Sequence, residues 1–203
     1  MKLIRSSSQE EMIFAFLNME YRSDRFRRDI TAAMKKLRCM EDLILNGDVT
    51  DEDENRQRAH LLGEYRGYPD REIFENVPQD ISWRLCRLEA GDTDRLRYLD
   101  YSYWNELSNS TSLPAEGAKS VLSGRTVYGV SNDGYWNALQ ALHSGAVFPP
   151  LILLTGDEEK YLILEGHLRA TVYAMKPGSE NGAAAFVGVC GRDALVRKNA
   201  VMM

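Results

Sequence analysis

Gly166, His167, Leu168 and Arg169 stand where an apolar run, Tyr161-Leu162-Ile163-Leu164, gives way to a helical pattern. Their types and spacing suit anion binding. A glycine between strand and helix lets the backbone turn sharply and approach a ligand closely. The helix that follows presents unsatisfied N–H groups and the positive end of its macrodipole, a setting in which phosphate is the commonest occupant. His167 and Arg169 both fall in the first turn, where a cation is mildly unfavourable unless something negative lies beside it. In this reading Gly166 and the N–H groups behind it, that of Leu168 included, hold a phosphate. Arg169 and His167 neutralise its charge. Glu165 or a neighbouring carboxylate could equally be the anion, which would make the unit purely structural.

The elements around this turn follow from periodicity. Leu151 to Leu154 is a continuous apolar run, as expected of a strand buried on both faces. Gly156 to Glu159 is a turn, Tyr161 to Leu164 the returning strand, and His167 to Lys176 a helix stopped by Pro177-Gly178. Leu168, Val172 and Met175 share one face of that helix and are expected to pack on the sheet, with Arg169, Tyr173 and Lys176 opposite. Ala185 to Val189 reads as a further strand, and a helix capped by Ser131 or Asn132 runs to His143 before Gly145.

The run Phe148 to Leu154 followed by Tyr161 to Ala170, with Gly166-His167-Leu168-Arg169 opening the helix, resembles the core of the ParB/sulfiredoxin-like family. There a helix ending in glycine leads to a proline-initiated apolar strand, a hairpin return and a Gly-x-x-Arg turn. The resemblance spans about residues 125 to 193. It implies a nucleotide site, with phosphates on the turn, Gly166 and Arg169 in direct contact, and His167 at the phosphate edge. It also implies a nucleoside triphosphate with Mg²⁺ as cofactor, and Glu165 as a metal ligand or base. Two departures limit the carry-over. Sulfiredoxins place a reactive cysteine where this chain has His167, which argues against sulfinic-acid reduction. Chromosome-partitioning members carry Glu-Arg-Arg after the glycine, where this chain has His167-Leu168-Arg169, which argues against clamp formation on DNA.

Upstream the pattern is mainly helical. Ser8 and Glu11 form a capping box, and helices are expected over most of 10–45 with a break near Ser23. Another helix follows Thr50 through the acidic turn Asp51 to Glu54. Trp83 to Leu88 alternates like a strand, and Leu96, Leu99, Tyr103 and Leu107 predict a helix begun at Asp92 or Thr93. Phe74 and Val77 are expected to plug a core. The fold class is thus mixed α/β: a helical accessory region, residues 1–124, packed on a small core, residues 125–203.

Net charge is −5, which disfavours a duplex-DNA binder, since affinity there comes mainly from neutralising phosphates. Cys39, Cys86 and Cys190 form no metal spacing and suit a reducing, cytoplasmic setting; no apolar run approaches a membrane span. The function expected is binding of a nucleotide or phosphate ligand, with phosphoryl transfer or nucleotide hydrolysis as the reactions such a site would serve. The alternatives are a non-enzymatic regulatory or protein-interaction module with a vestigial site, and single-strand nucleic-acid binding.

Overall fold

A computed structural model describes residues 1–191. The protein is mixed α/β, and its chain divides into two compact units, residues 7–83 and residues 1–6 with 84 onward.

The unit of residues 7–83 is helical. Helix α1 (Gln9–Arg22) is capped by Ser8, whose Oγ accepts from the Glu11 N–H at 3.2 Å, the N-cap half of the expected capping box. It stops at Ser23, whose backbone is extended. Helix α2 (Arg27–Leu37) and the single turn α3 (Asp42–Leu45) follow. Helix α4 (Glu52–Arg66) starts at Asp51, which accepts from the N–H groups of Asp53 and Glu54. The cap is thus the first residue of the acidic run that follows Thr50. Met12, Phe16, Leu17, Ile30, Met34, Ile44, Leu61 and Leu62 fill the interior, and Phe74 joins them as expected. Burying each such side chain contributes about 1.5–3 kcal/mol.

The second unit carries the sheet. Its strands are β1 (Lys2–Ser6), β2 (Ser82–Arg87, of which 84 onward belongs here), β3 (Leu96–Arg97), β4 (Leu151–Thr155), β5 (Tyr161–Glu165) and β6 (Ala184–Val189). Their order is β1-β2-β6-β4-β5-β3. β4 and β5 form the antiparallel hairpin read from the sequence, while β6 lies parallel to β4 with Leu153 opposite Val187. Helices α5 (Ser102–Leu107), α6 (Pro114–Leu122), α7 (Asp133–His143) and α8 (His167–Met175) complete it.

Three expectations change here. The sheet-bearing unit begins at residue 84 and takes in residues 1–6, because β1, β2 and β3 pair into the same sheet as the hairpin. The helix expected from Asp92 to Leu107 is instead a short 3-10 turn, the two-residue β3 and α5. Leu96 and Arg97 pair in parallel with Tyr161 and Leu162, so sheet pairing overrides their helical spacing. Finally, α8 is apolar on both sides. Ala170 and Tyr173 pack among the sheet residues Leu151, Leu153, Ile163 and Val187, whereas Leu168, Val172 and Met175 pack with Leu107, Val121 and Tyr135 of α5, α6 and α7. The face expected on the sheet meets helices, and Tyr173 belongs to the face that meets the sheet.

Gly117 shows how tightly α6 sits. A methyl group there would collide with the Tyr98 hydroxyl and lie 3.2 Å from Tyr98 Cε2. Tyr98 is fully buried, and its OH is 2.6 Å from Thr171 Oγ1 on α8. Gly117→Ala is therefore expected to cost about 1–3 kcal/mol, read as a lower urea midpoint.

Candidate functional site

Strand β5 delivers the turn. Its first four residues are buried, which fixes where the strand ends and where α8 begins. Gly166 joins them with φ 104° and ψ 21°, a left-handed conformation that favours glycine. Space reinforces the choice, since a methyl group here would lie 2.5 Å from Leu151 Cδ2 and 2.9 Å from Arg169 Nη2. The carbonyl of Gly166 accepts the Ala170 N–H at 2.9 Å, which begins the helix. No side chain caps this end and no acidic residue occupies its first turn, in contrast to α1 and α4.

Arg169 folds back over this end of its own helix. Its Nη2 donates to the Pro150 carbonyl at 3.2 Å and to Glu165 Oε1 at 3.3 Å. Both side chains keep partial contact with solvent, 15% for Arg169 and 21% for Glu165. The anion beside the arginine is thus the chain's own carboxylate, the alternative left open above. This pairing also defines Glu165. A Mg²⁺ ion bound by this carboxylate would sit beside the Arg169 guanidinium 3.3 Å away, and the two positive charges would repel. Among the described residues no three His, Cys, Asp or Glu side chains converge on a metal-sized site.

His167, expected at the phosphate edge as a chargeable group, lies inside the protein. It is 8% exposed and stacks on Trp104, with ring centroids 4.8 Å apart and planes at 15°. Tyr98 lies on it at 5.9 Å. Its Nε2 accepts the Leu99 N–H at 3.4 Å, so in the neutral ring the proton sits on Nδ1. Burial, and secondarily the Arg169 charge, push its pKa down to about 3. A neutral imidazole held in this way contributes no charge to the turn and has no path to act as an acid or base near pH 7.

Leu168 directs its side chain away from the turn. Its side chain points at α7, where the position of a methyl on Gly134 would be 3.4 Å from Leu168 Cδ1. The sequence therefore located the turn, its glycine and its arginine. It missed the Pro150 carbonyl that orients Arg169 and the Tyr98–Trp104 enclosure of His167. Nothing local to Tyr98 or Trp104 ties them to a residue more than 60 positions on.

No protein-family model, curated protein or solved structure matches this chain. Among the described residues no helix is long and apolar enough to cross a membrane.

Proposed function

We propose that the sheet-bearing unit binds a phosphate-bearing small molecule, a nucleotide in the reading favoured here, at the first turn of α8. The observation that carries this reading is the Arg169 guanidinium, folded onto Gly166 at the uncapped, acid-free N-terminus of α8. An incoming phosphate would meet the backbone N–H groups of the turn and this guanidinium together, and would replace Glu165 as the partner of Arg169. Phosphate suits that exchange, because a guanidinium recognises it in a bidentate fork and the helix end adds aligned N–H donors. Binding rather than catalysis is supported. Glu165 is engaged by Arg169, and His167 is enclosed and neutral. Mg²⁺, where needed, would arrive on the polyphosphate and not through Glu165.

A panel of nucleoside mono-, di- and triphosphates and inorganic pyrophosphate, with and without Mg²⁺, tests this by thermal shift. A ligand selective for the native state at about 100 times its Kd adds about 2.7 kcal/mol of stability. Arg169→Ala should abolish the shift, whereas Glu165→Gln should keep or enlarge it, since the amide competes less well for the guanidinium. A panel without any shift would discard the assignment.

A second reading, a protein-interaction module in which the Arg169–Glu165 pair is structural, draws on Tyr128, Val130, Trp136 and Val147. These apolar side chains are exposed within one stretch around α7, Val147 to 93% and Tyr128 to 68%. It gains if the panel is silent.

A further inference from the structure

Helix α7 buries one face and exposes the other. Tyr135, Leu139 and Leu142 pack with Leu107 of α5, Val121 of α6 and Val172 of α8. Asp133, Trp136, Gln140 and His143 recur at helical spacing on the opposite face, and all four are exposed. Apolar side chains flank that face: Tyr128 and Val130 before the helix, Val147 after it. We propose that this face is the contact between two copies of the chain, with α7 antiparallel to α7 of the second copy and the two-fold axis near Ala138. The contact rests on the exposed apolar stretch of the second reading above and is independent of the phosphate site at α8.

Composition argues for a protein contact. With histidine neutral, residues 126–150 contain a single charged residue, Asp133, in a chain that is 27% charged. Depletion of charge together with exposed Tyr and Trp marks the core of a protein–protein interface. Net charge argues for a second copy at this face. Each copy carries −5, so most approaches of two copies set carboxylates against one another, and this face does not. The order of the residues argues for the antiparallel arrangement. Asp133 opens α7 and His143 closes it, about 15 Å further along the axis. Pairing centred on Ala138 sets each Asp133 opposite His143 of the second copy, where the imidazole N–H donates to the carboxylate. The same rotation brings Tyr128 and Val130 of one copy to Val147 of the other, with a Trp136 ring on either side of the axis. Two-fold symmetry forms each of these contacts twice. A parallel pairing would instead oppose Asp133 to Asp133 and His143 to His143.

Sedimentation velocity of the full chain, from about 1 μM to about 1 mM, tests the contact. The expected result is a reversible dimer. Trp136→Ser should weaken it about tenfold or more, as loss of a central aromatic does. His143→Glu should weaken it similarly, because it sets two carboxylates together. The Asp133→Lys, His143→Glu double variant should recover most of the wild-type affinity, since it exchanges the charges across the axis. All three positions are exposed, and matching thermal melts will confirm that the variants fold. A chain monomeric throughout, a dimer indifferent to Trp136→Ser, or a double variant no tighter than His143→Glu alone would overturn the proposal. Each of those outcomes leaves the nucleotide panel, which reads α8 separately, unaffected.

Discussion

Acidifying the protein from pH 6.5 to pH 4 will lower the stability of the sheet-bearing unit by about 3 kcal/mol through His167 alone. In the unfolded chain this imidazole takes up a proton near pH 6.5, whereas in the fold it stays neutral down to about pH 3. Between those values the unfolded state binds more protons, so each pH unit of acidification favours unfolding by about 1.4 kcal/mol. Above pH 6.5 the contribution is fully present and flat. Carboxylates held low in the fold behave differently. Asp92, whose backbone and α-amino hydrogen bonds outweigh desolvation to lower its pKa from 3.8, loses its contribution only further down the scale. The two effects therefore separate along the pH axis. Urea midpoints of the wild type and His167→Gln, measured from pH 7 to pH 4, check this. The variant should be less stable at pH 7, because the stack on Trp104 is lost, yet its stability should fall less steeply with acid. Parallel profiles would mean that the folded protein protonates His167 as readily as the unfolded chain does.

Replacing Arg58 by methionine will destabilise the helical unit by about 3–5 kcal/mol. Arg58 is fully buried, and its guanidinium is one of the interior's organising groups. Nη1 donates to the Leu43 carbonyl at 3.1 Å and to Glu54 Oε2 at 2.9 Å; Nη2 donates to the Asp48 carbonyl and to Asn55 Oδ1, both at 2.6 Å. A single side chain thus ties α3 and the loop after it to the first turns of α4. Methionine fills much of the volume but leaves these acceptors without their donor, and each buried one costs about 1–3 kcal/mol. Gly47 belongs to the same arrangement, because a methyl group there would collide with Arg58 Nη1. Denaturant unfolding of Arg58→Met against wild type measures the loss. A change under about 1 kcal/mol would show that water replaces the guanidinium without penalty, and that this cluster does not organise the unit.

Where apolar runs and end signals agreed, local structure was readable. The β4–β5 hairpin, α8 and β6 follow from Leu151–Leu154, Tyr161–Leu164, Gly166 and Phe186–Val189, because a strand buried on both faces needs an unbroken apolar run. β1 had no such signal. All five of its residues are exposed, and it exists through pairing with β2 some eighty positions later. The span from Asp92 to Leu107 carried a helical period that pairing with β5 overrode. The candidate site divides in the same way. The Gly166 turn is encoded within five residues, and so is the Glu165–Arg169 pair, whose i, i+4 spacing already allowed it. The fate of His167 depends on Tyr98, Leu99 and Trp104, and no periodicity near residue 167 announces them.

Amide chemical shifts offer the closest view of the turn itself. Titrating inorganic pyrophosphate into the ¹⁵N-labelled protein should move the N–H signals of His167, Leu168 and Arg169 most, with the Arg169 side-chain N–H signals shifting as the guanidinium leaves Glu165. The shifts should vanish in Arg169→Ala. If those amides stay still at millimolar ligand, or the perturbed signals map to another part of the chain, then the first turn of α8 is closed by its own ion pair and binds no phosphate.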